Sequence, residues 1–175
     1  MRSAFTGGIL AVFLVLSLNI NDKVLGLKNS RQEKVEYMPR FSYYTLDGKT
    51  FSNRQLAENK SYLFVYFSPL CGLCKEETEA LVDHIDAMKG VQIVMVSPGE
   101  KSDIKKFVAF YKLKEYPQIT VLHDPKDSFY LEFGAIGYPN LYVYDKEKKL
   151  VQYFDQVTDF YTIERALQEG VISEN

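Results

Sequence analysis

The two cysteines of the chain, Cys71 and Cys74, stand where an apolar run gives way to an amphipathic one. Tyr62 to Phe67 is apolar throughout, without alternation, too short for a helix and rich in aromatics. This predicts a strand buried on both faces. Ser68-Pro69 ends it. From Gly72 the period changes: Cys74, Glu77, Thr78, Leu81, Ile85 and Met88 recur at the spacing of one helical face, and Gly90 is the expected stop. A buried strand therefore delivers Cys71 to a helix N-terminus.

That position has chemical consequences. Unpaired backbone amides and the positive end of the helix dipole favour an anion at the first turn, so Cys71 is the expected thiolate. Cys74 lies one helical step on, close enough for a disulfide with Cys71 and turned toward the core. Two other readings stay open. Both cysteines can pack as small hydrophobes, and a structural zinc would need four ligands, with only His84 and His123 to complete the set.

Composition narrows the function classes. Lys and Arg total 21 against 23 Asp and Glu, a net charge of −2 without a basic field, so nucleic acid is not an expected partner. The 175 residues fit one domain beyond the N-terminus. Arg2 precedes a mostly apolar stretch from Gly8 to Ile20, the length of a signal-peptide core and short for a membrane span. Residues 1–26 are therefore expected to be a signal peptide cleaved after Gly26, or else an uncleaved membrane anchor. No cysteine lies near for lipid attachment. Residues 27–38 read as a polar linker and residues 39–175 as the folded domain.

Within that domain, Phe41 to Leu46 and Lys49 to Phe51 flank Asp47-Gly48, which predicts a hairpin with a two-residue turn at the edge of the sheet. Ser52 is a candidate cap for a helical turn over 53–57. Val91 to Val96 reads as a second buried strand, with Ser102 capping a helix that carries Ile104, Phe107, Val108 and Tyr111 inward. A short strand at Ile119 to Leu122, a short helix over Ser128 to Phe133, a hairpin around Asp145 to Lys149 and a last helix from about Phe160 to Gly170 follow. This order describes an α/β fold, a central sheet flanked by helices on both faces.

These residues resemble the thioredoxin-like superfamily, and within it the exported reductase branch typified by ResA and TlpA. Four features carry the likeness: the Asp47-Gly48 hairpin before the active-site strand, the Cys71-x-x-Cys74-Lys75-x-Glu77 run, an extra central segment around 98–125, and Gly134-x-x-Gly137-Tyr138-Pro139. The resemblance implies a thioredoxin-like fold with a central mixed sheet. It also implies that Pro139 follows a cis bond facing the cysteines and that the Tyr138 main chain pairs with substrate. Leu70, where these families commonly carry Trp, falls on the substrate-contacting surface. The buried acid that many thioredoxins carry on the strand would fall at Val65, so Glu77, on the face of Cys74, is the expected proton acceptor.

The function so implied is an exported thiol-disulfide oxidoreductase, in the bacterial periplasm, that reduces protein disulfides through a Cys71/Cys74 cycle. Cys71, Cys74 and Glu77 are the expected catalytic residues, and Leu70, Tyr138 and Pro139 the substrate-binding ones. No nicotinamide, flavin or metal motif occurs, so no cofactor is expected and a separate protein must donate electrons; the N-terminus would tether the domain if uncleaved. Two alternatives come from other likenesses. Phe67-Ser-Pro-Leu-Cys71 resembles the Phe-Thr-Pro-Val-Cys run of thiol peroxidases of the peroxiredoxin kind, although Phe64 stands where they carry proline. Copper-binding modules of the Sco kind share the fold but space their cysteines by three residues and use a late histidine.

Overall fold

The computed structural model describes residues 36–172. The expected signal peptide or anchor at 1–26, and the linker up to residue 35, lie outside the described residues. Strand β3, Ser61–Tyr66, is central to a seven-stranded sheet ordered β2-β1-β5-β4-β3-β6-β7. It pairs in parallel with β4, Val91–Ser97, and antiparallel with β6, Asn140–Tyr144. The remaining strands are β1, Ser42–Thr45, β2, Thr50–Ser52, β5, Ile119–His123, and β7, Leu150–Phe154. β5 runs parallel to β4 and antiparallel to β1, so the hairpin forms one edge of a mixed sheet.

The unalternating apolar run of β3 is explained by two cores. Leu63, Val65 and Phe67 point to one face, where they pack with residues of α1 (Gly72–Asp83), α2 (Lys101–Phe110) and α4 (Phe160–Ile172). Tyr62, Phe64 and Tyr66 point to the other, against Phe129 and Phe133 of the short α3, Phe129–Phe133, and the N-terminal Phe41 and Tyr43. The second core is aromatic: the Phe129 ring stacks on Phe133 at 4.0 Å and on Tyr66 at 4.6 Å. The expected central segment is α2 and β5, which widen the sheet between β4 and the hairpin.

Several boundaries differ from expectation for local reasons. The 45–49 connection is a three-residue loop, not a two-residue turn: Gly48 N–H donates to the Thr45 carbonyl at 2.9 Å and Gly48 then takes φ 95°. A type I turn followed by a left-handed glycine absorbs the extra residue. The active-site helix ends at Asp83, not near Gly90. His84 leaves helical geometry, its Nδ1 lies 2.9 Å from the Ala80 carbonyl oxygen and its ring stacks on Phe160 at 4.2 Å. Ile85 and Met88 are carried instead by a separate 3-10 turn. Glu100, not Ser102, is the N-cap of α2, without a side-chain cap bond. Ser52 does cap, in a reciprocal box with Gln55, but only over Asn53–Gln55.

Among the described residues no helix is long and apolar enough to cross a membrane. The Phe129 stack gives a test of the aromatic core. Phe129→Ala should lower unfolding free energy by about 3–5 kcal/mol, read from urea melts. A loss under about 1 kcal/mol would show that α3 contributes little to holding β3 in place.

Candidate active site

The turn between β3 and α1 sets the site. Cys71 N–H donates to the Ser68 carbonyl at 3.1 Å, closing the turn at Ser68-Pro69, and Cys71 itself caps α1 with extended backbone. Its sulfur accepts from the Cys74 N–H at 3.3 Å, which satisfies one of the unpaired donors of the first helical turn. Behind the turn, a Cβ on Gly99 would stand 3.0 Å from Pro69 Cδ, so the loop after β4 packs closely on the turn and a larger residue there would push on Pro69. Both thiols are free. Cys71 is partly exposed and Cys74 fully buried.

From the opposite side comes the loop before β6. The Tyr138–Pro139 bond is cis, as the family resemblance implied, and the Tyr138 carbonyl lies 3.9 Å from Cys71 Sγ, within reach of the thiol hydrogen. Two features shape the loop. Gly134 and Gly137 take φ values of 74° and 128°, which side-chain-bearing residues rarely adopt. Asn140 clamps it: the amide donates to the Pro139 carbonyl at 2.8 Å, while Oδ1 accepts from Ile136 N–H at 2.9 Å and Tyr153 OH at 3.2 Å. The Tyr138 ring packs against Tyr66, and their hydroxyls lie 3.3 Å apart. Tyr66 in turn donates to the Asp127 carboxylate. Leu70 is 78 % exposed beside Cys71, and Tyr138 is exposed at the rim.

Glu77 is 1 % exposed, on the same face of α1 as Cys74. Its Oε2 accepts from Thr158 N–H at 3.0 Å, while Oε1 is buried without a hydrogen-bond partner. Burial pushes the carboxyl up from 4.5 to about 7; the Thr158 bond opposes the rise and the Asp159 charge adds to it. Burial also raises the Cys74 thiol strongly, with its hydrogen bond to Cys71 next, a Ser68 backbone bond opposing, and repulsion from Cys71 and Glu77 adding. The repulsion between Glu77 and Cys74 is one-sided for a physical reason. Glu77 titrates first, so it is charged when the Cys74 thiolate forms, whereas the thiol is still neutral when Glu77 ionises.

The six site residues proposed from sequence thus fall around one turn and one loop. The histidines do not join them: His84 stacks beneath α4, and His123 sits on β5, two strands from β3, or about 10 Å sideways at 4.8 Å per strand. Sequence reasoning missed Thr158, Asn140 and the Tyr66–Asp127 pair. Thr158 contributes through a bond that closes only in the fold, spanning 81 positions to Glu77, and no local pattern marks it, whereas two of the Asn140 bonds reach only to Ile136 and Pro139, so Asn140 carried a local signal at the end of the Gly-x-x-Gly-Tyr-Pro run.

Comparison with known proteins agrees with this architecture. A curated thioredoxin-like protein of Haemophilus influenzae is 28% identical over 96 residues, 54% of this chain and 54% of the relative, so the match spans about half the relative's length. Among solved structures, MTB DsbF, in mixed oxidised and reduced forms, superimposes with a TM-score of 0.66 at 21% identity, over 78% of this chain and 96% of its own. A secreted Mycobacterium tuberculosis disulfide oxidoreductase homologous to E. coli DsbE gives 0.64 at 18% identity, over 78% and 98%. At such identities the likeness is one of fold. The AhpC/TSA family profile matches residues 36–153, a span that holds the hairpin, both cysteines, Glu77 and the cis proline, and the chain therefore belongs to the AhpC/TSA family of the thioredoxin-like superfamily.

Proposed function

We propose that the protein is an exported thiol-disulfide oxidoreductase that reduces protein disulfides through Cys71 and Cys74. The observation that carries this reading is the asymmetry of the pair. One free thiol caps a helix at the surface, facing a backbone carbonyl 3.9 Å away, and the other is buried one helical step behind it. The Cys71 thiolate attacks a substrate disulfide; a Cys71–substrate bond forms, the substrate S–S bond breaks, and the first substrate thiolate leaves and takes a proton. Cys74 then attacks Cys71 Sγ, forming the Cys71–Cys74 disulfide and expelling the second thiolate. The substrate gains two electrons, which a separate dithiol protein must restore.

Resolution needs Cys74 deprotonated, and here Glu77 acts. In the mixed disulfide Cys71 carries no charge, so its repulsion of the Cys74 thiolate disappears. An ionised Glu77 takes the Cys74 proton, which removes the remaining repulsion, and returns it to the leaving thiolate. A carboxyl near 7 can do both at neutral pH. The Tyr138 main chain and Leu70 flank Cys71 where the substrate backbone must pass. Export to the periplasm is supported by the apolar stretch from Gly8 to Ile20 and by the secreted character of the Mycobacterium tuberculosis protein of similar fold. The same stretch, left uncleaved, would tether the domain to the membrane.

The peroxidase alternative resembles a pattern in which an arginine assists the peroxide, and here the cation one helical turn from Cys71 is Lys75. The lysine-rich turn at 146–149 follows β6, whose end at Tyr144 pairs with Tyr62, at the opposite end of β3 from Cys71. A side-by-side assay of peroxide consumption and protein-disulfide reduction decides between the two activities, and faster peroxide turnover would sink the reductase reading.

The division of labour between the thiols makes two predictions. Iodoacetamide should label Cys71 of the reduced chain first, and peptide mapping that finds Cys74 modified preferentially would reverse the roles. Cys74→Ser should accumulate mixed disulfides through Cys71, visible on non-reducing gels.

Glu77 generates another. Its folded carboxyl binds a proton more tightly than the unfolded one, so its contribution to stability is full below about pH 4.5 and is lost as pH rises through about 7. Glu77→Gln should match wild type below that window, gain relative stability across it and level off above it. The rise from 4.5 to about 7, at about 1.36 kcal/mol per pH unit, bounds the gain at ~3 kcal/mol. The variant should also resolve mixed disulfides at least tenfold more slowly near neutral pH, on the order of a general-base contribution. Wild-type resolution across pH 5–8 would remove Glu77 from the mechanism.

A further inference from the structure

The loop that faces Cys71 presents the Tyr138 carbonyl, yet the Tyr138 side chain belongs to neither core. It stands at the rim, 36 % exposed, so burial alone does not fix it. Two contacts do. Its ring lies against Tyr66 at 4.7 Å, and its hydroxyl meets the Tyr66 hydroxyl at 3.3 Å. Tyr66 is the last residue of β3 and 2 % exposed, with its ring stacked on Phe129. Its hydroxyl donates to the Asp127 carboxylate.

The carboxylate gives this chain of hydroxyls a direction. A carboxylate accepts and cannot donate, so the single Tyr66 hydrogen goes to Asp127. The Tyr66 oxygen is then left to accept, and the hydrogen between the two hydroxyls comes from Tyr138. Burial, and next the bond to Asp127, push the Tyr66 hydroxyl up from its ordinary pKa, so the donor keeps its hydrogen. Without Asp127, Tyr66 would be free to turn that hydrogen either way.

Asp127 is held in place by the turn after β5. It takes φ 54°, in the left-handed region that glycine enters most easily. Its N–H donates to the Asp124 carbonyl at 3.0 Å, and the Asp124 carboxylate accepts from Phe129 N–H at 2.8 Å and from the Ser128 hydroxyl at 3.2 Å. The turn itself asks only for a residue that tolerates this φ, which glycine and asparagine also do. The carboxylate is what Tyr66 uses.

We propose that Asp127 is a positioning residue for the substrate-binding loop: acting through Tyr66, it holds the Tyr138 side chain and so keeps the Tyr138 carbonyl facing Cys71, where a substrate backbone is bound. The inference rests on the thiol-disulfide reading and deepens it, since it concerns how the substrate chain is held and not the exchange of thiols. Asn140 fixes the loop on either side of Tyr138, at Ile136 and Pro139, but makes no bond to Tyr138 itself. A loose Tyr138 ring would let the carbonyl turn away from Cys71. A substrate strand would then lose its partner, while a small disulfide would still reach the thiol.

The test uses the prereduced full-length chain in single turnover with two substrates. One is a short extended peptide whose single cysteine is capped by 2-mercaptoethanol. The other is bis(2-hydroxyethyl) disulfide, which has no backbone to pair. The ratio of the two rate constants reads the loop. Asp127→Gly, which suits the turn and removes the carboxylate, should lower the ratio about fivefold, the scale of one hydrogen bond. Tyr66→Phe, which keeps the ring stack and removes the hydroxyl, should lower it equally, and the double variant no further, since both cut one chain. Asp127→Asn keeps both the turn and an acceptor, and should hold the ratio within about twofold of wild type. An unchanged ratio in either Asp127→Gly or Tyr66→Phe would overturn the proposal, even with a lower urea midpoint, because a carboxylate that only satisfies a buried hydroxyl alters stability alone. Asp127→Asn as impaired as Asp127→Gly, or losses that add in the double variant, would overturn it too. If wild type reacts with neither disulfide, the thiol-disulfide reading falls and the role of Asp127 falls with it. Reaction of wild type with the small disulfide alone overturns only the role of Asp127.

Discussion

Burial of β3 on both faces is the constraint on which the reactive end of the sheet depends, because it fixes where the strand ends and so where Cys71 emerges. A strand with one wet face could slip in register or fray at its last residues. Here Tyr66 is locked into the aromatic stack with Phe129 while Phe67 packs on Phe107, so the two final side chains are gripped from opposite sides. The turn at Ser68-Pro69 then starts from a rigid point, and the first amides of α1 meet the Cys71 sulfur without further adjustment. The same grip fixes the distance to the Tyr138 loop, since Tyr66 carries the hydroxyl that meets Tyr138 and Asp127.

Around that fixed point the chemistry is arranged by depth. The partly exposed Cys71 meets helix amides, the fully buried Cys74 is held as a thiol by desolvation, and Glu77 lies at the same depth with its carboxyl pushed up by burial to about 7. Burial of a carboxyl without full hydrogen bonding is costly, and the unpartnered Oε1 is a cost the fold bears at this position. The carboxyl lies one helical step from Cys74, and under the proposed mechanism proton transfer between these two groups in the same dry layer would need no rearrangement of solvent.

Legibility in the sequence followed the range of the interactions concerned. The Cys-x-x-Cys junction, the buried strands and the Gly-x-x-Gly-Tyr-Pro loop are patterns within a dozen residues, and the fold and the sheet edge were foreseen from them, while the cis bond before Pro139 followed only from the family resemblance. Local rules also misplaced some ends: Ile85 and Met88 keep the helical period although His84 breaks the helix, because His84 answers to Phe160 on a distant element. Ser102 looked like a cap, yet the chain had already entered the helix at Lys101. Beyond local reach lay the partners of Glu77 and the chain of hydroxyls from Tyr138 through Tyr66 to Asp127, which joins the loop before β6 to the turn after β5.

The Thr158–Asp159 loop carries a consequence of its own. Thr158 holds Glu77 through its backbone, while Asp159 raises the same carboxyl by its charge and at the same time accepts from Thr162 in the first turn of α4. The acid behind the cysteines is therefore governed from the far end of the chain, by residues that begin the last helix. Two homologues with an identical Cys-Gly-Leu-Cys run, but different residues at the entry to that helix, would hold acids of different strength behind the same pair of thiols. Divergence in the acid strength of that carboxyl can then accumulate at a helix cap while the Cys-x-x-Cys run itself stands still.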